Sequence, residues 1–212
     1  MRDRMEQRLV AGLEHLGQSL APEQVKAVLD YLAELVRWNK AYNLTAVTDP
    51  LEMVDRHIID SLSLRPFIQG QRIFDAGTGA GLPGVVLAIA EPGRHFILVD
   101  SNGKKVRFLR HIKRTLGLDN IEPVHARLES LKLDPPPDEI VARALAPLDR
   151  LAEWLSPWLD QGTRLLAMKG KLEQAEIDQV PDRFRVEQQT IELPAMPAER
   201  CIAVVSLRNS KN

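Results

Sequence analysis

The spacing of apolar positions divides the chain near Gly70. Before it, Val25, Val28, Leu29, Leu32, Leu35 and Val36 recur at helical intervals behind Pro22, a residue suited to the first helical position. Asp49-Pro50-Leu51-Glu52 then offers a capping acid, a proline and a glutamate in register, and Leu51, Val54, Ile58, Ile59 and Leu62 form one stripe, which predicts a second helix. Beyond Gly70 short apolar runs alternate with helical stretches, as in β-α-β units around a parallel sheet. Strands are expected at Arg72 to Asp75, His95 to Asp100, Ile121 to His125, Glu139 to Arg143 and Arg164 to Lys169. Helices are expected at Gly84 to Ala90, Lys104 to Leu116, Leu148 to Leu159 and Lys171 to Gln179. After the fifth strand the alternation stops. Phe184 to Leu193 and Cys201 to Leu207 read as strands separated only by Pro194-Ala-Met-Pro197, which predicts an antiparallel hairpin. The expected organisation is a helical extension over 1–70 and an α/β domain over 71–212.

Composition adds little but excludes much. Apolar residues are 44% of 212 and charged residues 27%, a globular balance, and no apolar run is long enough to span a bilayer. The charged start, Met1-Arg-Asp-Arg-Met-Glu6, lacks the apolar centre of a signal peptide, so a cytoplasmic location is expected. Cys201 is the single cysteine, which excludes an internal disulfide or a cysteine metal cage. A net charge of −1 argues against holding bare nucleic acid through bulk electrostatics, so any such contact must be local.

The candidate chemistry lies where the first strand of the sheet meets its helix. Gly77, Gly79, Gly81 and Gly84 permit a tight turn and close approach of backbone to a ligand. Asp100, 19 residues past Gly81, ends the next strand and is placed to accept both hydroxyls of a ribose. Together they specify an adenosine-containing cofactor. Gly79-Ala-Gly-Leu-Pro-Gly84 also fits a dinucleotide fingerprint, but Asp75 before the loop can bind a methionine ammonium, the closing hairpin suits methyltransferases, and no hydride-transfer constellation is visible. S-adenosylmethionine is therefore favoured.

Several of these segments, taken together, resemble the glucose-inhibited division protein B family: Trp38-Asn39-Lys-Ala-Tyr-Asn43-Leu-Thr45, His57-Ile-Ile-Asp60-Ser61, Asp75 to Gly84, Lys105-Val-Arg107-Phe108-Leu109, Arg143-Ala144 and Lys169-Gly170. The resemblance covers nearly the whole chain. It implies a class I S-adenosylmethionine-dependent methyltransferase, a Rossmann-like three-layer α/β sandwich. Its substrate would be N7 of a guanine in the 530 loop of bacterial 16S rRNA, guanine 527 in the family. It also implies cofactor contacts from Gly77, Leu82, Leu128, Glu129 and Arg143, and Glu129 independently follows the third strand at the ligand-binding edge of such a sheet.

The missing motifs fit this chemistry. Guanine N7 already presents a lone pair, so no general base is required. Attack by cytosine C5 needs a nucleophilic cysteine, whereas Cys201 falls in a terminal strand. Methylation of exocyclic amines resembles an Asn-Pro-Pro-Tyr motif after the fourth strand, where this chain has Arg143-Ala-Leu-Ala-Pro147. Arg143 and Lys169 end strands and are candidates for substrate positioning, Arg143 by holding the cofactor carboxylate or the guanine, Lys169 by pairing with a phosphate; a structural cation is the alternative for each.

Lys104, Arg107, Arg110, Lys113 and Arg114 lie in a run without acids that reads either as a solvated helix face or as an RNA contact. His57 and Asp60 either close over the cofactor or make buried hydrogen bonds, and no metal spacing accompanies them. Trp154 and Trp158 read as core rather than as a stacking platform. The expected partner is 16S rRNA, within the small subunit or its precursor, met by a monomer with no membrane contact. An NAD-dependent oxidoreductase and a non-catalytic RNA-binding assembly factor are the rival readings.

Overall fold

The computed structural model describes residues 1–193 and 199–208. The helices are α1 (Arg2–His15), α2 (Pro22–Tyr42), α3 (Pro50–Met53), α4 (Asp60–Leu62), α5 (Gly84–Ala90), α6 (Gly103–Leu116), α7 (Leu148–Leu159) and α8 (Gln174–Ile177). The strands are β1 (Arg72–Ala76), β2 (His95–Asp100), β3 (Ile121–His125), β4 (Glu139–Arg143), β5 (Arg164–Lys169), β6 (Phe184–Ile191) and β7 (Arg200–Leu207). They form one sheet in the order β3-β2-β1-β4-β5-β7-β6. Pairing is parallel from β3 through β5, and β7 runs antiparallel to both β5 and β6. The expected α/β class and closing hairpin are therefore present, with the later hairpin strand inserted next to β5; the Pro194 to Pro197 connector lies outside the described residues.

Strand periodicity assigns each side chain to a layer. Ile73, Phe96, Leu98, Val141 and Leu166 point to one face, under α5, α6 and the extension. Phe74, Ile97, Val99, Ile140, Leu165 and Ala167 point to the other, under α7. The first of these clusters runs on without a break through Met5, Leu9, Leu29, Leu32, Leu35 and Ile58, so the residues before Gly70 share a core with the sheet.

The charged lead-in is helix, as the helical reading of residues 1–70 expects, with Met5, Leu9 and Leu13 one turn apart and buried. Two departures from the sequence reading have local causes. The helix expected from Pro50 is broken by a π-helical turn over Val54–Ile59. Its wider register lets Val54, Asp55, His57, Ile58 and Ile59 all be buried, more of the circumference than a single α-helical stripe covers. The helix expected over Lys171 to Gln179 shrinks to α8: Leu172 turns into the core, and the backbone becomes helical only after Glu173.

Two adjacent acids stitch the extension to the sheet. Glu139, 1% exposed, accepts from the backbone N–H groups of Gln69 (2.9 Å) and Gly70 (3.3 Å) and pairs with Arg164. Asp138 accepts from the N–H groups of Gln71 and Arg72 at 2.9 and 2.8 Å. Glu139→Ala leaves two backbone donors unpaired and the Arg164 guanidinium with the Phe67 carbonyl and solvent, and is expected to cost about 2–4 kcal/mol, read as a fall in the urea midpoint at unchanged m-value.

Candidate functional site

The site begins with a carboxylate that never meets solvent. Asp75, 0% exposed at the end of β1, accepts through Oδ2 from the Thr78 hydroxyl (2.6 Å) and the Gly84 N–H (2.8 Å). It thereby ties the strand to the start of α5 and bends the chain between them into a loop. Gly77, Gly79 and Gly81 have φ of 67°, 61° and 98°, a region that side-chain-bearing residues rarely occupy. Asp75 Oδ1 is buried with no protein partner. Burial pushes this carboxyl up to about 6, against the lowering effect of the Thr78 and Gly84 hydrogen bonds. An acceptor left bare in this way fits a ligand donor such as an ammonium.

Asp100 answers from the end of β2. Its Oδ2 accepts from the Gly79 N–H at 2.9 Å and its Oδ1 from the Asn102 N–H at 2.8 Å, while Lys105 Nζ lies 3.7 Å away. A carboxylate has about four lone-pair positions, so these bonds orient it and leave acceptor capacity for ribose hydroxyls. Beside it opens a cleft of about 340 Å³ whose walls include Gly77, Asp100, Leu128, Glu129, Leu145 and Trp154. Four of the expected cofactor residues, Gly77, Asp100, Leu128 and Glu129, thus converge. Glu129 is exposed and has no partner among the described residues.

The other candidates stand elsewhere. Gly79 and Gly81 shape the loop, and Leu82 is buried in the core shared with the extension. Arg143 extends beneath the extension, donating through Nη1 to the Arg56 carbonyl (3.0 Å) and to Asp60 Oδ2 (3.2 Å), and does not line this cleft. Lys169 donates to the Ala146 carbonyl (3.0 Å) and pairs with Glu176 at 2.6 Å, bracing the chain between β4 and α7. Both arginine and lysine are engaged with the protein itself. Asp60 pairs a second time, with Arg200 at 3.2 Å. His57 meets the Thr45 hydroxyl at 2.8 Å, and its Nδ1 is buried without a partner. Among the described residues no three His, Cys, Asp or Glu are grouped to hold a metal ion.

On α6 the expected amphipathicity holds: Val106, Phe108, Leu109 and Ile112 are buried, while Lys104, Arg107, Arg110 and Arg114 are exposed with no acid partner among the described residues. Lys113 is a correction. Its ammonium donates to the Ile121 carbonyl at 2.6 Å and closes the start of β3.

Sequence reasoning placed both tryptophans in the core but missed two contacts. Trp158 is core, edge-on to Phe74, and Trp154, partly buried, packs against the same core and also forms a wall of the cleft, with the Arg150 guanidinium 5.5 Å over its ring. The i, i+4 spacing of the two tryptophans holds no signal that the first also reaches the cleft. Tyr31, fully buried on α2, donates to the Ala80 carbonyl of the glycine loop at 2.9 Å, a link across 49 residues that no local pattern announces.

Two outcomes follow from this geometry. A Cβ on Gly84 would stand 2.6 Å from Asp75 Oδ2 and closer still to Leu98, so Gly84→Ala must displace the carboxylate. S-adenosylmethionine affinity, measured by calorimetry, is expected to fall at least about tenfold, for a cost of about 1–3 kcal/mol. His57 is held down to about 4, by burial first and then by the Arg143 charge. A histidine depressed in the folded state stabilises fully above its unfolded value near ~6.5, and that stability is lost as pH falls through about 4. The raised Asp75 has the opposite sign, favouring the folded state at low pH, so the His57 contribution is read as a difference. The stability advantage of the native chain over His57→Gln, from urea midpoints, is expected to shrink by about 2 kcal/mol between pH ~7.5 and pH ~4.5.

Comparison with known proteins gives the chain a family. A family model described as GidB, rRNA small subunit methyltransferase G, matches residues 24–200. Ribosomal RNA small subunit methyltransferase G of Escherichia coli is 42% identical over 199 residues, spanning 93% of this chain and 96% of the relative. The Salmonella arizonae protein of that name is 43% identical over 194 residues, 91% of this chain and 94% of its own. Among solved structures, an Aquifex aeolicus SAM-dependent methyltransferase superposes with a TM-score of 0.53 at 17% identity, covering 78% of this chain and 97% of that one. The Pyrococcus abyssi tRNA (uracil-54, C5)-methyltransferase in complex with S-adenosyl-L-homocysteine gives 0.54 at 18% identity, covering 74% of this chain and 39% of that one. These two share the fold, that of class I methyltransferases, and at 42–43% identity over nearly its full length the chain belongs to the rRNA small subunit methyltransferase G family.

Proposed function

We propose that this protein transfers a methyl group from S-adenosylmethionine to N7 of a guanine in the 530 loop of 16S rRNA. The observation that carries the reading is the cleft itself, a glycine loop with a bare buried acceptor beneath it and two carboxylates, Asp100 and Glu129, at its rim. In this assignment Asp75 receives the cofactor ammonium, Gly77, Gly79 and Gly81 bring backbone close to it, and Asp100 takes the ribose. Glu129 accepts from the adenine amine, and Leu128 supplies apolar surface, while Leu82 packs behind the loop. When bound, the cofactor supplies an electrophilic methyl on sulfur: the S–CH₃ bond breaks with its electron pair going to sulfur, and the N7 lone pair forms the new bond. No proton leaves, so the protein needs to align and desolvate rather than to deprotonate. Arg143 and Lys169, held by Asp60 and Glu176, act by positioning the chain at the strand ends.

The charge pattern supports the RNA part. Most cations of the chain sit against acids or carbonyls, whereas Lys104, Arg107, Arg110 and Arg114 form an exposed face of α6 without them. Lys105, at the start of the same helix, lines the cleft. A phosphate backbone following α6 is therefore led to the cofactor. We assign residues 1–70 as an extension that covers the loop and 71–212 as the methyltransferase domain, acting as a cytoplasmic monomer on the small subunit or its precursor. Among the described residues no helix is long and apolar enough to cross a membrane.

Two measurements test this. Mass analysis of digested 16S rRNA from a strain lacking the protein is expected to show loss of N7-methylguanine from that loop; persistence there sinks the proposal. Reversing the four α6 charges (Lys104→Glu, Arg107→Glu, Arg110→Glu, Arg114→Glu) is expected to reduce the slope of log affinity for rRNA against log salt by about 3 or more, with cofactor affinity unchanged. Methylation of naked rRNA compared with assembled subunits identifies the physical form of the substrate.

A further inference from the structure

Where the end of α2 lies against α6, four rings form a stair that the methyltransferase site does not use. Trp38 stands 4.9 Å from His111 and 5.4 Å from Phe108, and Tyr42, one turn further along α2, stacks on Trp38 at 5.3 Å and 32°. The inner end is core: Phe108 is fully buried, and Glu34 fixes His111 through a 2.6 Å contact with Nε2. The outer end is open. Tyr42 is 39% exposed, one of three large hydrophobic side chains left at the surface among the described residues, and its hydroxyl has no partner there. A surface ring already held against a second ring loses little freedom on gaining a third.

Two cations near it, Arg107 and Arg114, have no acid or carbonyl partner among the described residues. Arg107 and Arg114 lie four residues before and three after His111, on the same face of α6, so they flank the ring stair one turn to either side. From Lys105 at the cleft to His111 is about 9 Å along the helix. We propose that Tyr42 and Trp38 form a stacking platform for an unpaired RNA base near the target guanine, with Arg107 and Arg114 holding the phosphates beside it. This rests on the RNA reading of α6 and adds to it a requirement that the bound strand be unpaired: base-to-ring stacking needs a free π-face, which a duplex does not offer.

The test uses the full chain with S-adenosylhomocysteine saturating the cleft, and fluorescence anisotropy of a short labelled RNA presented as single strand or as duplex. Tyr42→Leu is expected to weaken single-strand binding about tenfold and to leave duplex binding within about twofold, while Tyr42→Phe keeps the wild-type value, because stacking needs the ring and not the hydroxyl. Quenching of tryptophan emission by the single strand in the wild type, but not in Trp38→Leu, gives a second readout. Wild-type single-strand affinity in Tyr42→Leu overturns the platform, as does equal loss for both RNA forms, which would make the face a phosphate track only or mark a protein-docking surface. If the wild type binds neither form, the RNA reading of α6 falls as well. Unchanged cofactor affinity in each variant establishes that the fold is intact.

Discussion

The buried Asp75 carboxylate is the constraint on which the site depends. One of its oxygens receives both the Thr78 hydroxyl and the first N–H of α5, so the end of β1, the glycine loop and the helix start are fixed relative to one another. A carboxylate removed from water is costly unless its lone pairs are used. The protein satisfies one oxygen and leaves the other without a protein partner. Asp100 then braces the far side of the same loop through Gly79. Loop shape and the two carboxylates are thus one hydrogen-bonded unit rather than separate features.

The extension belongs to this unit. Tyr31 reaches the Ala80 carbonyl, Gln24 caps the last carbonyls of α5 at 2.9 and 3.1 Å, and Asp60 pairs with Arg143 and Arg200. These contacts join the residues before Gly70 to the loop, to the helix behind it and to two strands. Anything that loosens the extension therefore changes the cofactor loop, although no residue of the extension lines the cleft.

Much of this was legible in the sequence because local signals dominate there. The glycine spacing, the acid 19 residues on and the alternation of strands with helices are short-range patterns, and the sheet domain follows them almost residue by residue. What escaped depends on tertiary contacts. Lys113 reads as a member of the basic face, but its position near the end of α6 brings it over the β3 carbonyls. Trp154 packs against the core as it reads, but a helical stripe does not show that its outer edge reaches the cleft. The π-helical turn was hidden for the opposite reason: nearly every residue from Met53 to Leu64 is buried, and a segment enclosed on all sides has no polar face from which to read a period.

The distribution of charge on α6 has a consequence for how the molecule meets its partner. With a net charge of −1, the chain feels little overall attraction to a polyanion. Four exposed cations without acid partners among the described residues, Lys104, Arg107, Arg110 and Arg114, share one helix beside the cleft instead. A polyanion's field acts on such a cluster before contact and favours a helix-first approach. On the proposed RNA reading, orientation is then selected during approach rather than after it.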